Sequence, residues 1–408
     1  MAQVKSEIMS LRQDKAAPSF AEFVGIVSVM MSLTALSIDA MLPALPQIGS
    51  DLNVQSANDR QLVVSLLFLG MAVGQLFFGP LSDKTGRKPA TYGGFVLFIA
   101  GSLLSLFAPS FPILLSGRVL QGIGISAPRA VTLALVRDRY EGRAMARVMS
   151  FAMTVFVLVP MIAPMFGQTL LSLAGWRSIF GSYALIAALT VLWFALRMPE
   201  TLALEDRAQF SLRRIVMAIR EIVGIRVAIG YTVAAGLVSG AFLGYLNSAQ
   251  QIFQEQYALG ERFPLYFAVI ALSLGLASLL NSRLVMRFGM RALARWALFA
   301  ALGLSIAALG ISLLDAGQPP LWFLMAYLMT AFFCVGILFG NMNALAMEPL
   351  GHIAGIGAAV VGSLSTLISV PIGIIIGQGY NGTILPLVAG LAILTSLSIL
   401  VVRWAEKG

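Results

Sequence analysis

The sequence predicts an all-α membrane protein of twelve transmembrane helices arranged as two six-helix halves. Three observations predict it: an apolar excess that no water-soluble fold needs, basic residues confined to every second loop, and a polar stretch dividing the chain near its midpoint. Of 408 residues, 59% are hydrophobic and 11% charged, against roughly 45–50% and 25% in soluble domains. One helix crosses a hydrocarbon core with about 20 apolar residues, so the length accommodates about twelve spans. Helices are required because lipid offers backbone amides and carbonyls no partners.

Apolar runs punctuated by Pro, Gly and charge place the spans near 20–43, 58–79, 90–109, 112–136, 147–173, 178–197, 223–250, 263–282, 292–314, 320–343, 352–378 and 383–403. A net charge of +9 raises nucleic-acid binding, but the distribution of the charge excludes it. Most Lys and Arg fall on one side of the predicted topology, from Lys5, Arg12 and Lys15 through Lys84, Arg87 and Lys88 to Arg403 and Lys407. The opposite loops hold Arg60, Arg177 and Arg262, and only Arg118 and Arg129 fall inside spans. The positive-inside rule makes the basic side cytoplasmic, with both termini on it. This predicts a cytoplasmic tail over 1–19, an N-terminal half over 20–198, a cytoplasmic linker over 199–222, a C-terminal half over 223–403 and a tail over 404–408. The linker reads as a connection plus a basic amphipathic helix on the membrane surface. The first tail has no short apolar core before a small-residue cleavage site, so no cleaved signal peptide is expected. One cysteine, Cys334, excludes an intramolecular disulfide and a thiolate metal site, and neither a metal nor a cofactor is expected.

The halves carry a weak internal repeat. Gly79-Pro-Leu-Ser-Asp83-Lys84-Thr-Gly86-Arg87-Lys88 follows span two, and Ser282-Arg-Leu-Val-Met286-Arg287-Phe-Gly289-Met-Arg291 follows span eight. One shift aligns Leu81 with Leu284, Lys84 with Arg287, Gly86 with Gly289 and Lys88 with Arg291. Repeated halves let a secondary transporter build a central site that faces either side in turn. In the first copy Gly79 permits close helix approach, Asp83 suits the N-terminus of a helix, and Gly86 permits a tight turn.

The segment GPLSDKTGRKP, Gly79 to Pro89, resembles the loop signature of the major facilitator superfamily and stands where that family places it, between spans two and three. Span four carries Arg118-Val-Leu-Gln121-Gly122-Ile-Gly124, similar to the signature of the proton-coupled members. Span one ends Leu36-Ser-Ile-Asp39-Ala-Met-Leu-Pro43-Ala-Leu-Pro46, which resembles the Bcr/CflA branch of drug efflux transporters. Span five offers Val159-Pro160-Met-Ile-Ala163-Pro164-Met-Phe-Gly167-Gln168, a partial antiporter signature in which Pro164 and Gly167 fit while Val159 and Gln168 replace glycines. Ordinary helix packing also explains small residues there. Arg137-Asp138, Gly175-Trp176-Arg177, Asn341 to Leu350 and Gly377 to Gly382 extend the likeness over nearly the whole chain.

The resemblance implies a major facilitator fold and a drug:proton antiporter of a bacterial inner membrane, a monomer driven by the proton gradient. Asp39 and Arg118 are the expected proton-coupling pair, at similar depth one to two turns from the outer ends of their helices. A solvated helix-end carboxylate is the alternative for Asp39. Arg87 with Asp138 is expected to lock the cytoplasmic mouth when the transporter faces outward. Residues 118, 121, 125 and 129 share a helical face, since eleven residues at about 100° each return to within about 20° of the start. Arg129 lies about 16 Å deeper than Arg118, snorkelling to the cytoplasmic surface being its alternative.

The substrate pocket is expected between the halves, lined by Met31, Ala35, Gln121, Ile125, Arg129, Phe242, Tyr245, Asn341 and Asn343. Two arginines against one aspartate favour neutral or anionic amphipathic drugs, in the manner of amphenicols or bicyclomycin. A proton-coupled transporter of a sugar or amino acid shares the fold and differs only in substrate and direction. A membrane-embedded enzyme needs convergent nucleophiles, acids or metal ligands, whereas this chain has one His and one Cys. A non-transporting receptor would not need an ionisable pair within its spans.

Overall fold

The computed structural model describes residues 18–208 and 210–407, and at 146, 153 and 156 the backbone alone. The predicted tail over 1–19, with Lys5, Arg12 and Lys15, lies outside the described residues as far as position 17. Spans one to six are Phe20–Asp39, Leu62–Thr85, Arg87–Leu106, Phe111–Arg139, Gly142–Ala174 and Trp176–Arg197. Spans seven to twelve are Arg226–Gln250, Phe263–Phe288, Met290–Leu314, Leu321–Met347, Ala354–Gln378 and Leu385–Glu406. No strand occurs among the described residues. Span twelve runs to Glu406, so the segment expected as a second tail over 404–408 is mostly helix. The two ends of the described chain emerge on the face that carries the arginine-rich loops, here the basic face. The opposite is the far face.

Three expectations change at helix ends. Span one stops at Asp39 rather than at 43, because Pro43 has no amide to donate to the Asp39 carbonyl. The chain turns through Leu42–Ala44 and resumes as a short helix, Leu45–Asp51. Asp39 is therefore the last residue of its span, not one to two turns inside it. The segment expected as a loop, Gly79 to Pro89, is helical except at Gly86. The Ser82 and Thr85 hydroxyls turn back onto the carbonyls of Gly79 and Leu81, both at 2.9 Å, and carry the helix to its last turn. Gly86 then adopts φ +103°, and Gly289, its partner in the repeat, φ +78°. L-residues rarely adopt that region, so the repeat read as sequence is also a repeat of backbone. The linker contains the expected amphipathic helix, Leu212–Gly224, which buries Ile215, Ala218 and Ile222 against the bundle.

Lipid tails are as apolar as leucine, so the spans associate by close packing rather than by a hydrophobic drive. Within the first half glycines supply it. A Cβ on Gly122 would overlap the Leu67 carbonyl of span two, and one on Gly124 the Phe98 amide of span three. A Cβ on Gly167 would overlap the Ala40 carbonyl, so span five crosses the break that ends span one. Pro160 and Pro164 sit inside span five without ending it.

The halves meet along spans two and eleven and along spans five and eight, where a Cβ on Gly275 would overlap Val157; the contact between spans two and eleven loosens toward the basic face. At the far end a Cβ on Gly377 would overlap Gln61. Midway, one on Gly362 would come within 2.9 Å of Gln75 Oε1, and at the basic end one on Gly79 would meet only Ala359, at 3.8 Å. Gly79 is thus not a point of forced contact here: an added carbon would meet Ala359 at ordinary van der Waals distance.

Glycine packing makes a sharp contrast between two positions. Gly122→Val should cost about 1–3 kcal/mol or more, because the obstructing atom is backbone, and should lower the melting temperature of the detergent-solubilised protein. Gly303→Val, where nothing lies within 4 Å of the added carbon, should melt with the wild type. Equal melting of the two variants would refute the packing account.

Candidate proton and gating site

Arg118 is the centre of the first half. It is fully buried, and no carboxylate reaches it among the described residues. Its Nη2 donates to the Ser37 carbonyl of span one at 2.8 Å, its Nε to the Val63 carbonyl of span two at 2.8 Å, and its Nη1 to Gln121 Oε1 at 2.8 Å. The guanidinium lies 5.8 Å from the centre of the Phe180 ring of span six. The carbonyls at the end of a helix lack intrahelical partners, and in span one the Ser37 carbonyl takes Arg118. The Leu36 carbonyl still accepts the Ala40 amide and takes the Tyr183 hydroxyl as well, both at 3.1 Å. Breaking span one at Asp39 therefore creates the acceptor that a buried cation requires.

Asp39 sits two residues beyond that acceptor and is 5% exposed. It has no hydrogen bond or ion pair among the described residues, so the expected direct pairing with Arg118 is absent here. The arginine instead grips the backbone beside the carboxylate. Asp39 stands within electrostatic reach of Tyr183 on span six and Tyr245 on span seven, and span seven packs against the turn Leu42–Ala44 just after it. The Tyr245 hydroxyl is buried without a partner.

The expected pocket residues divide by burial. Gln121 and Ile125 are wholly buried, and Gln121 is occupied between Arg118 and Ser102, to which its amide donates at 2.7 Å. Neither lines the space between the halves: Gln121 is turned to Arg118 and to Ser102 of span three, and Ile125 is wholly covered. Ala35, Tyr245 and Asn341 are buried too. Tyr245 packs with Phe242 and Phe332, and the Asn341 amide donates to Asn281 Oδ1 of span eight at 2.8 Å. Met31 and Phe242 are half-buried, while Arg129 and Asn343 are exposed.

The far face is closed by polar contacts between the halves, of which only Gln378 and Tyr380 fall in a segment singled out from the sequence. Asn58 donates to the Gln378 and Tyr380 carbonyls at 2.9 and 2.8 Å and accepts from Gln251 Nε2 at 2.7 Å. Gln378 Nε2 donates to Asp59 Oδ1 at 2.9 Å, and Arg60 pairs with Glu255 at 3.0 Å. Deeper, Asn247 Nδ2 donates to Ser65 Oγ at 2.9 Å. Burial, and then nearby Glu255, pushes the Tyr380 phenol up to about 12, so it remains a donor to the Gln251 carbonyl at 3.3 Å.

On the basic face Arg87 joins Asp138 at 2.9 Å, as the spacing anticipated, and also bonds Asp83 at 2.5 Å and Ser82 at 2.9 Å. All four residues belong to the first half, and the contact exists while the far face is closed. The expected lock is therefore internal to one half and not a latch between two. Asp83 spends its carboxylate on Arg87. The carboxylate at the N-terminus of span three belongs to Glu200, which accepts the Arg87 and Lys88 amides at 2.8 and 3.0 Å. An acid 113 residues away carries no local signal of that role. Lys88 donates to the Ala195 carbonyl at 3.1 Å, tying span three to span six. In span five, Pro164 and Gly167 are buried beside the break of span one.

Two six-helix halves, sealed over a buried carboxylate on one face and loosening between spans two and eleven toward the other, define a membrane transporter of small molecules, not an enzyme. The chain belongs to the Major Facilitator Superfamily, whose family model matches residues 27–374. It is similar to the uncharacterized MFS-type transporter YdgK of Bacillus subtilis, 31% identical over 84% of this chain and 85% of that one. A bicyclomycin resistance protein homolog of Haemophilus influenzae is 27% identical over 96% of each chain. Among solved structures, a D-xylose-proton symporter superposes with a TM-score of 0.71 at 14% identity, covering 96% of this chain and all of that one, a likeness of fold alone.

Asn58 makes three of the contacts that close the far face, so Asn58→Ala should loosen it most. Spin labels at Gln55→Cys and Glu261→Cys, in a Cys334→Ser background, report the far-face distance between halves. At about 1 kcal/mol per hydrogen bond, Asn58→Ala should raise the population with the longer distance about tenfold or more. An unchanged distance distribution would remove Asn58 from the gate.

Proposed function

We propose that the chain is a drug:proton antiporter that exports small amphipathic drugs, amphenicol- or bicyclomycin-like, across a bacterial inner membrane by alternating access. The observation that carries this reading is Asp39, a buried and unpartnered carboxyl at the broken end of span one, two residues from the carbonyl that holds Arg118. An ionisable group inside a span is costly and is kept for function. The basic face is the cytoplasmic one by its lysines and arginines, with both termini on it, and the far face is periplasmic. The protein works as a monomer, with the proton gradient as its energy source and no cofactor.

In this reading Asp39 takes a proton from the periplasm and loses it to the cytoplasm. Burial disfavours the charged carboxylate, and a nearby guanidinium favours it. A change of shape that moves water or Arg118 relative to Asp39 alters its hold on the proton, which is what coupling requires. Drug enters the space between the halves from the basic face, and the polar contacts of the far face exchange for closure of the opposite mouth.

Asp39→Asn, reconstituted in vesicles with an imposed proton gradient, should reduce drug-driven proton release and chloramphenicol or bicyclomycin export to background while its melting temperature stays near that of wild type. Glu348→Gln, at an exposed ion pair with Arg291, serves as the control and should export normally. Full export by Asp39→Asn would take Asp39 out of the mechanism. A wild-type protein that exports neither drug would defeat the substrate reading.

A further inference from the structure

Span four has three faces. One is committed to span two, where Gly122 and Ser126 meet Leu67, Gly70 and Gly74. A second is committed to span three, where Gly124 and Ala127 meet Phe98 and Gly94. The third carries Arg118, Ile125 and Arg129, which fall within about 40° of one another at 100° per residue. Arg118 finds carbonyls and an amide on that face. Arg129, about 16 Å nearer the basic face, has no hydrogen bond, ion pair or aromatic partner among the described residues. Its side chain is exposed, on the face of span four that neither span two nor span three covers.

Snorkelling does not explain it. The basic end of span four is marked by Arg139, whose guanidinium reaches the Pro18 carbonyl. Ten residues of helix, about 15 Å, separate the two, well beyond the reach of one arginine side chain. No acid offers itself either. Glu22 is taken by Arg197 and Glu348 by Arg291, and Asp39 stands at the opposite end of the first half. The charge on the wall of the space between the halves is thus Arg129 alone, since Arg118 is fully buried behind it, against a single distant carboxyl. An uncompensated charge within low-dielectric walls draws the opposite ion, and the planar fork of a guanidinium matches a carboxylate with two parallel hydrogen bonds.

We propose that Arg129 is the anion-recognition residue of the substrate path, selecting amphipathic substrates that carry a carboxylate. This rests on the transport reading above and moves its substrate class from neutral drugs to carboxylates. Neutral drugs make no use of such a cation, whereas a carboxylate supplies the partner it lacks.

The test is binding, which is independent of export. Full-length protein in lipid nanodiscs is titrated calorimetrically with nalidixate, salicylate and 1-naphthoate, each compared with its neutral primary amide. The wild type should bind the carboxylates about tenfold or more tightly than the amides, the scale of a charge-assisted bidentate contact. Arg129→Gln should erase that preference, and Arg129→Lys should keep only part of it, because an ammonium lacks the fork. Melting curves establish that each variant is folded, and if Arg129→Gln is not, the partial loss in Arg129→Lys decides. Equal affinity for acid and amide in all three pairs, or a preference unchanged by these substitutions, overturns the proposal. A carboxylate preference that survives in a protein exporting neither chloramphenicol nor bicyclomycin would sink the neutral-drug reading alone.

Discussion

The first half depends on one buried cation held by the backbone of a broken helix. Transferring a guanidinium from water into the protein costs several kcal/mol unless its donors are met. Here Arg118 meets Ser37, Val63 and Gln121, and so draws spans one, two and four into one fixed geometry. The Ser37 carbonyl is available because span one ends at Asp39, and it ends there because Pro43 cannot continue it. The same break delivers the carboxyl of Asp39 to the boundary between halves, near span seven. Pro43, Ser37, Arg118 and Asp39 are thus consecutive steps of one physical argument.

Around that point the two kinds of contact differ in stiffness. Glycines against backbone hold spans two, three and four together inside the half, and such contacts cannot give without moving a helix. Contacts between halves at the far face are side-chain hydrogen bonds and one ion pair, which break and reform at little cost. Rigid units with a soft seam move as bodies, and the contacts between spans two and eleven slacken from Gly377 through Gly362 to Gly79.

Much of this was legible in the sequence. Apolar runs and basic loops give twelve helices and two halves, and the aligned Gly86 and Gly289 anticipate equal backbone turns. Asp39, Arg118, Arg87 and Asp138 were legible as special because charges near or within spans are rare. Their partners were not. Arg118 is satisfied by carbonyls, which every residue has and no sequence marks, and Gln121 turned out to serve it. Glu200 acts on span three from beyond span six, and Asn58, Gln251 and Gln378 are ordinary polar residues until the halves meet. Polar closure of this kind depends on register between distant helices, which periodicity along one helix cannot report.

The energies of seam and driving force are commensurate. Four hydrogen bonds between halves at the far surface, at about 0.5–1.5 kcal/mol each, and a partly exposed ion pair worth about 0–1 kcal/mol sum to a few kcal/mol. One elementary charge crossing 100 mV carries about 2.3 kcal/mol. A seam much stronger than this would trap the protein with its far face shut, and a much weaker one would leave both faces open and leak the gradient. The half-buried, polar composition of the seam keeps it in the range where binding or release of one proton at a buried carboxyl tips the balance. An apolar seam of equal area would be stronger and would not serve.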